Sequence, residues 1–271
     1  MKPFSESTAV RELEDGVYGC GFDEEWNRER GAFGGVVVGV MVRALTHSVG
    51  DRARPLRSLT VHCTAPAQAG EARVKTALLR EGKTVTHLTA RLEQGEALIA
   101  FGSAVFGVTQ PNAQGYQTAE FPPGVVDPET IAPAPSDHPL APRFARNFEY
   151  RYCLGDWKFF SGSQTAEVGG FIRPRVPGKL DAALAAAMLD AWPTVAMMRS
   201  PEPVLTVTVD FNFQFFEVFD GTREAGPDDH LVHIHSRWAG DGYSEELRSL
   251  WGPDGKLLAQ CRQNLAVLAA R

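Results

Sequence analysis

The sequence predicts an α+β fold in which one helix and one antiparallel sheet form a unit that occurs twice. The chain has 271 residues, of which 44% are apolar and 22% are charged, and this composition suits two soluble domains. Thr60-Val61-His62 in the first half resembles Thr208-Val209-Asp210 in the second, 148 residues later. Residues 97–104 likewise resemble residues 256–263, and each segment follows a turn with glycine. Such a repeat indicates one supersecondary unit used twice.

The first half is predicted to contain one buried helix followed by four strands. Gly34-Gly35 opens a run that is apolar on nearly every side, and its length favours a helix over residues 34–46 rather than a buried strand. Short turns divide the residues that follow, and such turns join neighbouring strands of an antiparallel sheet. The predicted strands are residues 58–64, 71–81, 84–94 and 97–108.

A proline-rich connector separates the two halves. Residues 109–142 contain eight of the eighteen prolines of the chain, which is typical of a segment that crosses a surface. We therefore expect an N-terminal domain over residues 1–108, a connector over 109–145 and a C-terminal domain over 146–271.

The second half repeats the order of the first. A helix rich in Ala, Leu and Met is predicted over residues 179–198, and an insertion over residues 217–229 is expected to lengthen one hairpin. A helix packed against a curled antiparallel sheet is the hotdog architecture, so the chain as a whole is predicted to be a double hotdog. The predicted strands are residues 148–161, 204–216, 230–240, 245–251 and 256–268.

Composition excludes several classes of function. A net charge of -6 and the lack of a long basic run argue against nucleic-acid binding. The four cysteines have no paired spacing, which argues against a zinc site or a disulfide framework. The longest apolar stretch, residues 31–42, is shorter than the ~20 residues that span a bilayer, and residues 1–21 do not resemble a signal peptide. We expect a cytoplasmic protein that needs no cofactor or metal and does not bind membranes.

A candidate site emerges from the polar residues that only the second half retains. Asp190 lies in the apolar second helix, whereas the first helix carries no acid, and the 148-residue offset places Val42 opposite Asp190. Thr208 is matched to Thr60 by the same offset. Gln263 is matched to Ala104 by the alignment of the last strands.

Together these three polar residues fit a hydrolytic site. A partly buried carboxylate is a usable general base, and a hydroxyl and an amide can hold water or stabilise an oxyanion. The alternative is structural: Asp190 would end the helix before Pro193, and Thr208 and Gln263 would be ordinary strand residues.

Three further residues are candidates for substrate binding. Gly34 and Gly35 precede a helix, where free N–H groups could bind a carbonyl or a phosphate, although paired glycines also permit close packing. His62 is a further candidate, although it could equally be a histidine whose hydrogen bonds are satisfied near the interface between the halves. His233 and His235 lie on one strand face, but no third ligand is near them in sequence, so a metal site is not expected.

Several motifs resemble those of the type II acyl-CoA thioesterases. Residues 32–39, 78–83 and 90–95 resemble the first hotdog of that family, and Thr208-Val209-Asp210, residues 255–259 and Gln263 resemble the second. The resemblance implies that an Asp, a Thr and a Gln jointly activate the water that hydrolyses the thioester. Asp190, Thr208 and Gln263 match those positions.

The resemblance implies a hydrolase that converts an acyl-CoA into a free acid and coenzyme A. Two alternatives remain open, a non-catalytic acyl-CoA binding protein and a double-hotdog enoyl-CoA hydratase, although the second half lacks the Asp and His pair that the hydratase requires. Hotdog sheets expose edges and faces that pairing can cover, so a homodimer or larger homo-oligomer is expected.

Overall fold

One long antiparallel sheet dominates the computed structural model, which describes residues 1–28, 30–110, 113–135, 141–225 and 229–269. The strands of the first half are β1 (Arg11–Glu14), β2 (Val17–Phe22), β3 (Asn27–Arg28), β4 (Gly31–Ala32), β5 (Leu56–Cys63), β6 (Gly70–Glu81), β7 (Val85–Gln94) and β8 (Ala97–Gly107). Those of the second half are β9 (Phe148–Gly155), β10 (Glu167–Pro174), β11 (Lys179–Asp181), β12 (Val204–Phe215), β13 (Asp220–Glu224), β14 (His230–Gly240), β15 (Tyr243–Trp251) and β16 (Leu257–Ala269). The helices are α1 (Phe4–Ser7), α2 (Gly34–Val49), α3 (Ala182–Asp190) and α4 (Val195–Arg199).

The order of strands in the sheet is the same in both halves when it is read from the outer edge to the centre. Twelve strands form the sheet in the order β1-β2-β6-β7-β8-β5 followed by β12-β16-β15-β14-β10-β9. The halves join where β5 pairs antiparallel with β12. This arrangement, with α2 and α3 packed together inside the curled sheet, confirms the predicted double hotdog.

The first central helix, α2, forms despite its many β-branched residues. Valines have modest helix propensity, but residues 35–42 of α2 are all buried, and burial outweighs that preference. The helix ends at Gly50, which adopts the left-handed conformation at φ 65°. Its N–H donates a hydrogen bond to the carbonyl of Thr46. The helix predicted over residues 34–46 is therefore confirmed, with one more turn.

The second central helix is shorter than predicted. The expected single helix over residues 179–198 is wrong, because residues 179–181 form β11 and the helix divides into α3 and α4. Asp181 caps α3 by accepting a hydrogen bond from the N–H of Leu184 at 2.9 Å. Pro193 cannot continue a helix and disfavours helical conformation at Trp192, so the chain bends between the two pieces.

All nine predicted strands have a counterpart, but three strands of the long sheet and four short strands (β3, β4, β11 and β13) were not predicted. The strand expected over residues 148–161 ends at Gly155, which turns at φ 79°. β1, β2 and β10 complete the outer edges of the two halves. The insertion at 217–229 does not lengthen a hairpin, because it connects β12 to β14, which are not neighbours, and its β13 pairs with β11.

The register at the centre of the sheet corrects the repeat alignment. The pairing register of each central strand shifts at one point. In β5, which pairs with β8, the shift lies between Leu56 and Ser58, and in β12, which pairs with β16, it lies between Thr208 and Asp210. When the two strands are aligned on these register shifts, Thr208 corresponds to Leu56 rather than to Thr60. The match of Gln263 to Ala104 holds, because Phe211 pairs with Gln263 as Leu59 pairs with Ala104.

The pseudo-twofold axis that follows from this register passes beside Thr60. Asn212 corresponds to Thr60, the two residues face each other across the β5–β12 junction, and the Asn212 amide donates to the Thr60 hydroxyl at 2.8 Å. Thr60 thus belongs to the junction of the two halves and is not a degenerate copy of Thr208.

The connector crosses the surface of the second half. Its described residues contain no strand, and most are exposed. Phe121 packs edge-on against Trp251, and the Gln117 side chain accepts from the N–H of Leu257 at 2.9 Å. The domain limits at 109 and 145 stay a prediction. Among the described residues, no helix is both long enough and apolar enough to cross a membrane.

Candidate active site

The site forms where the start of α2 meets the end of α3. The two helices run antiparallel, and small residues let them approach closely. A Cβ added to Gly34 would lie 2.6 Å from Asp190 Oδ2, and one added to Gly35 would lie 2.8 Å from the Cα of Ala187. Asp190 is therefore held against the first turn of a helix from the other half.

Gln263 joins the two other polar residues into one cluster. Its Nε2 donates to Asp190 Oδ1 at 3.2 Å and to Thr208 Oγ1 at 2.5 Å. Gln263 is 1% exposed on the last strand, whereas Asp190 and Thr208 are partly exposed. The structure thus brings together all three residues predicted to be catalytic.

The hydrogen bonds determine what each group of the cluster can still do. The Gln263 amide must present its N–H₂ to Asp190, because its carbonyl oxygen would repel the carboxylate. Thr208 accepts from that amide, so its own hydroxyl proton remains free to donate. The Oε1 of Gln263 is buried and has no partner among the described residues.

Burial raises the pKa of the Asp190 carboxyl above its ordinary value, and several neighbours oppose that rise. The positive charges of Arg248 and then Arg28 favour the ionised form, as do the Gln263 side chain and the backbone amide of Gly35. The carboxylate therefore lies in a site that makes it more basic than an exposed aspartate and still supplies donors to it.

A cavity of about 1120 Å³ opens beside this cluster. Asp190, Thr208, Gln263 and Gly34 line it, so the polar groups face space that a substrate can enter. Another part of its wall is aromatic. There Tyr152 stacks on Trp157 with ring centroids 4.0 Å apart, Trp192 contacts both rings, and Tyr150 meets Trp192 edge-on.

The predicted substrate-binding residues fall in different places. Gly34 lines the cavity, and Gly35 lies behind it in close contact with Phe33 and Ala187. His62 is exposed outside the cavity and stacks on Phe101 with centroids 4.9 Å apart. The structure therefore does not bring His62 to the site.

Sequence reasoning missed a buried ion pair beside the cluster. Glu246 and Arg248 are 0% and 1% exposed, and Arg248 lines the cavity. Both lie two residues apart on β15, where alternate positions face inward. Two opposite charges at this spacing in a strand are the signal that could have revealed the pair.

The site offers little to a metal ion. Among the residues that the structure describes, no three His, Cys, Asp or Glu side chains lie together in a group that could hold one. His233 bonds to Glu167 at 2.7 Å, and its ring lies 5.8 Å from that of His235.

Comparison with known families matches both halves of the chain. A family described as "Acyl-CoA thioesterase N-terminal domain" matches residues 22–107, and one described as "Acyl-CoA thioesterase C-terminal domain" matches residues 128–267. A search of curated proteins returns no match for this chain.

Solved structures similar to the chain have the same fold. A hot dog fold protein of unknown function from Alicyclobacillus acidocaldarius has a TM-score of 0.88 at 22% identity, covering 99% of this chain and 98% of that one. An acyl-CoA thioesterase II, TesB2, from Mycobacterium marinum has a TM-score of 0.78 at 17% identity, covering 99% of each chain. A tesB protein from Mycobacterium avium subs paratuberculosis has a TM-score of 0.79 at 15% identity, covering 97% and 98%. At these identities the likeness establishes the fold.

Proposed function

Because the chain belongs to the acyl-CoA thioesterase family, we propose that it hydrolyses the thioester of an acyl-CoA to a free acid and coenzyme A. The observation that carries this proposal is the bridging amide of Gln263, which holds Asp190 and Thr208 together at the wall of the cavity. These groups suit the activation of a water molecule, and the reaction needs no covalent intermediate or cofactor.

Asp190 acts as the general base in this proposal. Water bound between Asp190 and the free proton of Thr208 attacks the thioester carbonyl carbon while Asp190 takes its proton. The C–S bond of the tetrahedral intermediate then breaks, and the proton on Asp190 passes to the departing thiolate. The products are the carboxylic acid and the thiol of coenzyme A, and Asp190 returns to its ionised form.

The start of α2 is the proposed site for the developing oxyanion. The Gly35 N–H serves Asp190, and those of Val36 and Val37 bond to the Phe33 carbonyl, so among the described residues the Gly34 N–H is the donor of this turn left for a substrate. The positive end of the helix dipole also lies there. Gly34 lines the cavity within reach of Asp190, and a glycine leaves its backbone accessible. Donors placed where charge develops lower the barrier to the reaction.

Both halves therefore contribute to one site. The second half supplies Asp190, Thr208 and Gln263, and the first supplies the helix end at Gly34. The aromatic wall around Trp157 and Trp192 is proposed to contact the acyl group, because it gives the cavity a large apolar surface. The proposed location is the cytoplasm, and the proposed assembly is a homodimer or larger homo-oligomer.

The test is release of free thiol from purified protein incubated with acyl-CoAs of graded chain length, followed with a thiol reagent. Thiol release at a rate that is proportional to enzyme concentration and is lost in Asp190→Asn is the expected result. Binding of acyl-CoA without thiol release would favour a binding protein instead. Hydration of an enoyl-CoA with its thioester intact would favour a hydratase.

A further inference from the structure

A buried ion pair spans the gap between α3 and α4. Arg248 Nη2 and Nε donate to the same oxygen of Glu246, Oε2, at 2.7 and 3.1 Å, and both side chains are almost fully buried. A buried ion pair generally stabilises a fold no more than apolar residues of similar volume do. The place of this pair beside Asp190 therefore calls for an explanation other than stability.

The third nitrogen of the Arg248 guanidinium, Nη1, binds backbone carbonyls on either side of Asp190. Its Nη1 donates to the carbonyl of Leu189 at 2.9 Å and to that of Trp192 at 3.4 Å. Carbonyls at the end of a helix have no partner within the helix, so the guanidinium caps α3 at the turn that carries Asp190. The planar fork of an arginine can serve these carbonyls and a carboxylate at once.

The other oxygen of Glu246 holds the start of α4. Glu246 Oε1 accepts from the N–H of Val195 at 2.6 Å. The ion pair thus connects the end of α3 to the start of α4 across the bend that Pro193 causes. The cation lies at a helix end that presents carbonyls, and the anion at one that presents N–H groups, which are the favourable placements.

We propose that Arg248 and Glu246 are positioning residues, which hold Asp190 against the Gln263 amide and control the charge around its carboxylate. This inference rests on the proposed function, because it assigns the pair to the placement of the general base. The bonds to Glu246 and to the two carbonyls use four of the five N–H groups of Arg248, and its side chain is 1% exposed, so it acts through Asp190 rather than on the substrate.

The charged neighbours of Asp190 make the effect of this pair measurable. Arg248 on β15 gives the largest stabilisation of the ionised carboxylate, and Arg28 on β3 gives the next. The other titratable groups that face it are Tyr150 on β9, Cys63 on β5 and Cys261 on β16. Burial raises the pKa of each of them, that of Cys63 to about 12, so they stay neutral near pH 7.

The experiment compares the pH dependence of kcat/KM for acyl-CoA hydrolysis in Arg248→Met and Glu246→Gln. The acid limb is the fall of kcat/KM at low pH, which follows the pKa of Asp190. Loss of the cation should raise that pKa and move the acid limb to higher pH. It should also lower kcat on the order of 10²-fold, because Asp190 is displaced. Loss of the anion leaves Arg248 less neutralised, so the acid limb should move to lower pH. A purely structural role does not predict displacements of opposite sign.

Two further variants control for folding. Arg248→Met combined with Glu246→Leu removes both charges and leaves neither unpaired, so it should retain the native circular dichroism spectrum with a reduced kcat. Arg54 is a matched arginine of the first half, 12% exposed and bonded to the Gly82 carbonyl and Thr86. Arg54→Met should lower the Tm without moving the acid limb.

The inference would be overturned if the acid limbs of the two single variants stay in place or move in the same direction. It would also be overturned if the double variant has full kcat. If Arg248→Met does not fold, the direction of the Glu246→Gln limb and the kcat of the double variant decide it. Asp190→Asn belongs in the same series. Full activity of Asp190→Asn would reject the proposed function itself, whereas its inactivity together with unmoved limbs would reject this inference alone.

Discussion

The two halves of the molecule differ most at the positions that the pseudo-twofold axis relates. In the second half these positions hold the polar cluster of Asp190, Thr208 and Gln263. When the helices are aligned on their first residues, their counterparts in the first half are Val42, Leu56 and Ala104. The three counterparts are 2%, 5% and 1% exposed, so the same place in the fold is filled by packed apolar side chains.

This difference indicates that the hotdog unit does not need the polar cluster for its own stability. A carboxylate that is largely removed from water costs free energy, and the first half folds without one at the related position. The polar cluster of the second half is thus best explained by chemistry, and the comparison gives a matched apolar control for each polar residue. The variants below test that contrast, from the largest expected effect to the smallest.

The largest effect is expected from Asp190→Asn. This change keeps the shape of the side chain and removes the proposed base, so kcat for thioester hydrolysis should fall by roughly 10²–10⁴-fold. Asp181→Asn is the control, because it removes a carboxylate at the other end of the same helix, where Asp181 caps α3 and pairs with Arg43 at 2.8 Å. Comparable losses in both variants would mean that helix integrity, and not the carboxylate, supports turnover.

The same variant should make the fold more stable at neutral pH. Burial raises the pKa of Asp190 in the folded state above that in the unfolded chain, about 3.9. The contribution of this group to stability is therefore fully present below the unfolded pKa and is lost as pH rises through the folded pKa. Asn carries no charge, so Asp190→Asn should have the higher Tm at pH 7 by thermal unfolding. A lower Tm would contradict the assigned direction of the pKa shift.

Thr208→Val is expected to cost on the order of 10²-fold in kcat, because it removes the hydroxyl proposed to orient water. KM should change less than kcat, since the group acts on the transition state. The same substitution at Thr60 breaks only the bond to Asn212 at the junction of the halves. Equal damage from Thr60→Val would point to packing of the central strands as the common cause.

The paired glycines at the start of α2 should respond differently to alanine. In Gly34→Ala the new Cβ would lie 2.6 Å from Asp190 Oδ2, so it should displace the carboxylate and lower kcat by about 10²-fold. In Gly35→Ala the clash is with Phe33 and the Ala187 backbone, so the main effect should be a loss of stability of roughly 1–3 kcal/mol. Steady-state kinetics and thermal unfolding of both variants separate the two effects, and identical profiles would contradict this division.

The smallest effect is expected from His62→Ala. The imidazole is exposed outside the cavity and stacks on Phe101, so its removal should leave kcat and KM nearly unchanged. A large rise in KM would instead indicate that His62 binds the substrate, as the sequence predicted.

Much of the fold could be predicted from the sequence because its signals are local. The apolar run of α2, the glycine turns and the proline-rich connector each report a local preference, and the structure contains the corresponding elements. The division of the second helix was missed because Ala, Leu and Met favour a helix throughout, whereas Pro193 and the pairing of β11 with β13 interrupt it.

The site could be predicted less completely because it depends on register and on long-range contacts. Thr60 was paired with Thr208 because an ungapped alignment ignores the irregularity that each central strand contains at a different point. The contact between Gly34 and Asp190 brings together residues that are 156 positions apart in the sequence. The spacing of Glu246 and Arg248 could have revealed the ion pair, but not its place beside Asp190, because that place depends on backbone carbonyls at the end of α3 and just beyond it.

The central claim, that Asp190 and Gln263 act as one unit, is tested most directly by a double-mutant cycle on kcat. Residues that act together are not additive, so Asp190→Asn combined with Gln263→Leu should be hardly slower than Asp190→Asn alone. Asp190→Asn combined with Thr60→Val provides the comparison, in which the separate effects should multiply. If the losses of Asp190→Asn and Gln263→Leu also multiply in full, the two side chains work independently and the proposed cluster is wrong.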